Sequence, residues 1–415
     1  MSDSEPLRTR PAVGGEPLEA AADKSRRIVP IGPFHPLQEE PEFFKLIVEG
    51  ERVVDIEINL GYNHRGHEFI SPELTYDQIP FLVERICGIC SNSHPFACVL
   101  AVEDCAGIKP PPRAEYIRTI THELERIHSH LLWVGLAGHF IGYNTVWMWA
   151  WKYREHILQV FEMLCGNRNH YAQNKPGGVR RDIRPEQVPQ ILAALDLAEK
   201  KVRMLTKAVL DDPVIRARLE GVGVLTKEQA IAWSTVGPTS RGSGVPWDVR
   251  RDEPHAAYGK VPWNVIVFEE GDVLAKAKVR LLETLESIRI VRGCLTDLPD
   301  GPIETRIEEV PPGEGIGRTE APRGEVFHYI RSDGSNRPLR HKVRAPSYMN
   351  IASNKVAVVG GTIADAALTL AAVDPCYCCT ERMAAFEDGK QKYTGRELLR
   401  LSWQKTERLR ERYGR

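Results

Sequence analysis

No segment of the 415-residue sequence is both long and apolar enough to read as a membrane span. The two nearest candidates are 131–151, broken by His139, Asn144 and Thr145, and 356–373, broken by Gly360, Gly361 and Asp365. Each reads as a buried helix or strand. The N-terminus mixes charges and has no apolar core before a cleavage site, and Arg26-Arg27 lacks the apolar stretch of a twin-arginine signal. No export signal is therefore expected. Charge of one sign is also missing: 55 Lys and Arg against 56 Asp and Glu leave a net −1, which argues against a nucleic-acid binder. There are no internal repeats, heptads or GxxxxGK[ST] and GxGxxG loops, and the lone Gly360-Gly361 is too weak to mark a nucleotide site. Nine cysteines, an odd number in a long chain, exclude a secreted disulfide framework and suit a reducing compartment.

What is present reads as mainly α with small β elements, an α+β class built on a central bundle of long helices. Residues 1–27 read as a disordered arm. Between Phe43 and Ile58, apolar and β-branched stretches broken at Glu49-Gly50-Glu51 predict a β-hairpin. Helical spacing over Ala114–Leu136 (Ile117, Ile120, Leu124, Ile127, Leu131) follows the stop at Pro110-Pro111-Pro112. Further helices are expected over Trp149–Cys165, Pro185–Leu210, Thr226–Trp233 and Asp272–Val291. The Gly/Pro-rich stretch Gly237–Trp263 is a loop long enough to be functional, and short strands return between Pro311 and Ala345.

Two Cys-x-x-Cys pairs stand near opposite ends, Cys87-Gly88-Ile89-Cys90 and Cys376-Tyr377-Cys378-Cys379, with 289 residues from Cys87 to Cys376. One such pair is weak evidence, since the spacing suits zinc, a redox dithiol or core packing. Two pairs, one containing Gly88 and the other preceded by Pro375, point to a soft or borderline metal: zinc, iron–sulfur or nickel. A zinc ribbon keeps its pairs about 15–20 residues apart, far less than here. A redox dithiol would sit in a βαβ pattern that this region lacks.

The flanking residues narrow the choice. Arg85 and His94 frame the first pair as Arg-x-Cys-Gly-x-Cys-x-x-x-His, and Asp374-Pro375 and Arg382 frame the second as Asp-Pro-Cys-x-x-Cys-x-x-Arg. These resemble the two metal-binding signatures of nickel-iron hydrogenase large subunits. His64-Arg65-Gly66-His67-Glu68 is similar to that family's Arg-Gly-x-Glu segment, Glu320-Ala321-Pro322-Arg323-Gly324 to its Ala-Pro-Arg-Gly segment, and Leu37-Gln38-Glu39-Glu40-Pro41 to its proton-relay segment. Gly32-Pro33-Phe34-His35-Pro36, Glu123 to Leu131, and Gly237-Pro238 through Arg250 resemble the 49-kDa, quinone-site subunit of respiratory complex I. Retained cysteines together with these segments resemble the energy-converting, membrane-associated hydrogenases, and Arg382 fits that group.

The resemblance implies one domain over 28–382, with nickel held by Cys87, Cys90, Cys376 and Cys379, and iron carrying carbon monoxide and cyanide. Cys378 is the neighbour of the ligand Cys379. It implies catalytic roles for Arg323 and Glu40, with Glu39 as the competing relay, and cofactor contacts from His94 and Ser347. Glu68 would help hold magnesium or a second iron at an outer site, and His64 and Arg65 would line a remnant quinone cavity. Cys98, Cys105, Cys165 and Cys294 read as small buried apolar residues. Dihydrogen and protons are the implied substrates. The implied partners are an iron–sulfur small subunit, membrane subunits of a complex I-like assembly, nickel-insertion proteins and a maturation endopeptidase. The assembly would lie on the cytoplasmic face of the inner membrane. Residues 383–415, with nine Lys/Arg against five Asp/Glu, would be an extension removed after Arg382; the competing reading is a permanent basic helix over Glu397–Arg412. Two other functions stay open on the residues: a quinone- or NAD(P)H-linked subunit without nickel, and a scaffold with structural zinc.

Overall fold

In the computed structural model, which describes residues 25–35, 38–380, 385–387, 390–393 and 395–414, the expected hairpin is the core of a three-stranded antiparallel sheet. Strand β1 (Arg26–Ile31) adds to β2 (Phe43–Glu49) and β3 (Arg52–Asn59). Along β2 burial alternates with period two, so Phe44, Leu46 and Val48 face inward. They meet Val358, Ala366, Leu370 and Tyr377, the last of these inside the second cysteine segment. The N-terminal sheet thus supports the C-terminal half of the site.

A long helical layer forms the largest core. Helix α1 (Ser93–Ala106) precedes α2 (Pro112–Phe140), α3 (Asn144–Cys165), α4 (Val188–Asp211) and α5 (Val273–Thr296). The 114–136 expectation lies inside α2, which starts at Pro112, where a missing N–H costs nothing. The Pro185–Leu210 expectation divides into a 3-10 turn, Pro185–Gln187, and α4. Thr226 caps a shorter helix, Lys227–Ala232, by accepting from Gln229 N at 3.2 Å. Asp272 caps α5 through Ala275 N at 2.7 Å. No helix among the described residues is long and apolar enough to cross a membrane.

The second sheet is a meander of β4 (Gly313–Ala321), β5 (Gly324–Ser332) and β6 (Pro338–Arg344). Helix α1 lies directly on it, and two glycines permit the approach. A Cβ at Gly315 would stand 2.1 Å from Ala101 O, and one at Gly317 2.0 Å from Ala97 O. Helix α6 (Ile363–Ala372) then leads into Asp374 and the second cysteine pair. Residues 1–24 of the expected arm and Arg382 lie outside the described residues, whereas the helix expected at Glu397–Arg412 runs over Gly395–Tyr413.

Candidate metal centre

The first cysteine pair occupies the turn between a short 3-10 helix, Glu84–Ile86, and α1. Arg65 clamps the turn from outside, donating from Nη1 to Arg85 O and from Nη2 to Ile86 O, each at 2.7 Å. On the other side α1 has no side-chain cap of its own. The Glu125 carboxyl group, from the middle of α2, takes that place by accepting from Asn92 N, from Ser93 N at 3.0 Å and from Ser93 Oγ. Inside the turn Ile89 N and Cys90 N donate to Cys87 Sγ at 3.3 and 3.2 Å.

The second pair arrives from α6. Asp374 adopts φ 54°, a left-handed conformation that Asp tolerates better than most residues, and turns the chain back. Ser347 Oγ accepts from Cys376 N at 3.0 Å, and Glu40 Oε2 accepts from Cys378 N at 2.7 Å. The two pairs meet in a buried position. Cys376 Sγ is 3.0 Å from Cys87 Sγ, 2.9 Å from Cys379 Sγ and 3.4 Å from Cys378 Sγ. The Sγ atoms of Cys87, Cys376, Cys378 and Cys379 all lie within 4.8 Å of one another. Cys90 is outside that group, and its sulfur lies 3.6 Å from Arg323 Nη1.

All nine cysteines are free thiols. Hydrogen bonds from Cys376, Cys378, Cys379 and Cys90 hold Cys87 well below the usual thiol range, while its neighbours Cys90, Cys376 and Cys379 are pushed well above it. The cluster thus concentrates negative charge on one sulfur and cannot ionise further by itself. A thiophilic cation would allow the remaining thiols to deprotonate, so the donor set fits a soft metal.

Arg323 covers the cluster. Its Nη1 reaches Ser129 Oγ at 3.2 Å, its Nε donates to Asp374 O at 2.8 Å, and its Nη2 pairs with Asp374 Oδ1 at 2.7 Å. Burial alone would favour losing the proton, but Asp374 and the thiols of Cys90, Cys376 and Cys87 outweigh it and keep the guanidinium charged. Glu39 and Glu40 stand nearby. Burial pushes Glu39 up to about 8 despite Arg323, and burial also raises Glu40. His94 Nε2 is 3.4 Å from Cys379 Sγ.

Glu68 Oε1 accepts from Val343 N at 3.0 Å and Oε2 pairs with Lys342 Nζ at 2.7 Å. It lines a cleft of about 760 Å³ with His64, Arg65, His341, Cys378 and Cys379, through which solvent approaches the cysteines. Arg85 turns away, donating from Nη1 to Phe81 O at 2.6 Å.

Several residues that build this site are assigned no role by the sequence reading. Asp374 is the counter-charge of Arg323, Ser129 is its second support, and Glu125 holds the first cysteine turn. Behind them runs a buried ionic network. Arg241 pairs with Glu283, Asp248 and Glu320, and Arg250 bridges Asp248 to Glu123. The run Glu123-Leu124-Glu125-Arg126 was the available signal, because four residues of a long helix carrying three charges rarely all turn inward, as these do.

Residues 65–135 match the nickel-dependent hydrogenase family, and residues 141–310 and 304–382 match the 49 Kd subunit of respiratory-chain NADH dehydrogenase. The membrane-bound hydrogenase subunit alpha of Pyrococcus furiosus is 41% identical over 399 residues, covering 92% of this chain and 93% of that protein. The carbon monoxide-induced hydrogenase of Rhodospirillum rubrum is 38% identical, covering 85% and 99%. A chain of the membrane-bound sulfane sulfur reductase, an archaeal respiratory membrane complex, superposes with a TM-score of 0.83 at 30% identity, covering 87% of this chain and 100% of that one. With its paired cysteine segments retained, the chain belongs to the family that joins the large subunits of membrane-bound, energy-converting hydrogenases to the 49-kDa subunit of respiratory NADH dehydrogenase.

Proposed function

We propose that this chain is the catalytic large subunit of a nickel-iron hydrogenase, interconverting dihydrogen with two protons and two electrons within a complex I-like membrane assembly. The observation that carries the reading is the meeting of Cys87 with the distant Cys376, Cys378 and Cys379 in one cluster, with Cys90 beside it against the charged Arg323. Cys87, Cys90, Cys376 and Cys379 would hold nickel together with an iron bearing carbon monoxide and cyanide. When bound, such a centre supplies the two-electron chemistry of heterolytic dihydrogen cleavage.

The protein's own contribution is positional and electrostatic. Arg323 presents a fixed positive charge to the open face, pre-oriented by Asp374 and Ser129, so no reorganisation is needed when charge develops there. Glu40, hydrogen-bonded beside Cys378, would take up the proton, and Glu39, which burial raises to about 8, would be the next carboxyl group in the relay. Ser347 would orient Cys376 through its backbone N–H, and His94, whose Nε2 lies 3.4 Å from Cys379 Sγ, would steady that sulfur.

Electrons must leave through another chain, because among the described residues only one group of four cysteines is close enough to share a metal. An iron–sulfur small subunit meets that need, and membrane subunits would hold the complex at the cytoplasmic face of the inner membrane. Residues 383–415 would be released by an endopeptidase after nickel insertion, so the large subunit of the active complex should end at Arg382; an intact Arg415 terminus there would refute the cut. The function is tested by metal analysis and infrared spectroscopy of the purified complex. Nickel and iron near one each, with carbon monoxide and cyanide bands, are expected. No metal would instead favour a nickel-free quinone- or NAD(P)H-linked subunit, a reading that the cleft lined by His64 and Arg65 would serve, and zinc alone would favour a scaffold with structural zinc.

A further inference from the structure

Beneath α1, where it crosses the second sheet, three metal-capable side chains converge apart from the cysteine cluster. Cys98 comes from α1, His328 from β5 and His341 from β6, and all three are buried. One ligand atom from each lies within 4.8 Å of the other two. We propose that Cys98, His328 and His341 form a second metal site, selective for a borderline, thiophilic divalent ion of the zinc type, with its fourth position left to a water or other small ligand.

The hydrogen bonds around the two imidazoles sort their nitrogens into outer and inner. His341 Nδ1 is 2.7 Å from Ser71 Oγ, and His328 Nε2 is 3.2 Å from His94 Nδ1. A ligating histidine ordinarily has such a hydrogen-bond partner on its other ring nitrogen, and these two fix the ring orientations. The remaining nitrogens, His328 Nδ1 and His341 Nε2, face each other at 2.8 Å. Two nitrogens bound tetrahedrally at about 2.0–2.1 Å stand roughly 3.3 Å apart, so the rings need to part by only about 0.5 Å. Burial holds both imidazoles in the neutral, ligating form, with His341 lowered to about 4.

Proton balance closes without an outside reagent. Burial pushes the Cys98 thiol well above the usual thiol range, so it is protonated until a cation displaces that proton. Loading therefore releases one proton from Cys98. One imidazole changes tautomer, so that His341 Nδ1–H donates to Ser71 and His328 Nε2–H donates to His94. His94 then donates from Nε2 to Cys379, which places the second ion one histidine away from the first cluster. An entry path exists, since His341 lines the 760 Å³ cleft, and the Glu68 carboxylate in the same cleft partly offsets the added charge.

The site is independent of the nickel reading and is tested by Co²⁺ titration of the full chain carrying Cys376→Ser and Cys379→Ser, which disables the main cluster. About one equivalent is expected, with tetrahedral d–d absorption and a sulfur-to-cobalt charge-transfer band, and both should vanish on adding Cys98→Ala. If the double variant does not fold, the otherwise wild-type chain serves: Cys98→Ala should lower its Co²⁺ uptake by about one equivalent. A folded double variant that binds no Co²⁺, or uptake and spectra indifferent to Cys98→Ala, would overturn the proposal and leave the trio as a hydrogen-bonded chain.

Discussion

Replacing Arg323 separates its structural role from its electrostatic one. Both members of the Arg323–Asp374 pair are almost wholly buried, at 1% and 0% side-chain exposure. Removing one partner of such a pair costs about 3–5 kcal/mol, because the other is left charged in a medium that cannot solvate it. Arg280 Nε, 3.9 Å from Asp374 Oδ2, compensates in part, which puts Arg323→Met near the lower end, about 3 kcal/mol. Asp374→Asn strands Arg323 and should cost a similar amount. The double variant leaves neither charge stranded, so its loss should fall short of the sum by about 2 kcal/mol. Urea unfolding of the four chains at fixed pH measures the cycle, provided the slopes agree. Losses that add to within about 0.5 kcal/mol would refute the pairing. Arg323→Lys keeps the charge but cannot span Asp374, Ser129 and Cys90 together. In the assembled complex it should retain metal while dihydrogen turnover falls about 10²–10³-fold, the loss expected for one preorganised donor.

Three further outcomes are expected. Gly317→Ala drives a methyl into Ala97 O and should destabilise the chain by about 1–3 kcal/mol, with hydrogen exchange rising across Ser93–Ala106; unchanged exchange would contradict the contact. Burial pushes Glu125 up to about 8, against hydrogen bonds from Ser93 and Asn92 that lower it, so the folded state holds a proton that the unfolded state releases near 4.5. That contribution is full below about pH 4.5 and is lost as pH rises towards about 8; Glu125→Gln should flatten this limb of the stability–pH curve relative to wild type. Cys379→Ser should abolish dihydrogen turnover and nickel retention, whereas Cys378→Ser should keep both; the reverse would move the ligand by one residue.

The hairpin and α2 were legible because their burial has a period, two in β2 and about 3.6 along Ile117, Ile120, Leu124, Ile127 and Leu131. Helix α1 was not, because it is buried on nearly every side and so carries no stripe, and because it opens on Ser93-His94-Pro95. In α5, Lys276, Arg280 and Glu283 occupy positions where an amphipathic helix would meet solvent, yet all three are buried. The cysteines were legible because thiol spacing is local. Their supports were not, since Asp374 with Arg323 and Glu125 with Ser93 are pairings that only the folded chain creates.

The sequence separation of 289 from Cys87 to Cys376 also sets a timetable. At ordinary synthesis rates that interval takes roughly 15–60 s, during which the first pair exists without the second. Two thiols alone make a poor cage, so an ion captured early is readily given up again. The completed cluster can form only after Ile363–Ala372 has emerged and Cys376 and Cys379 have docked beside Cys87, so retention of metal reports that synthesis has passed Cys379.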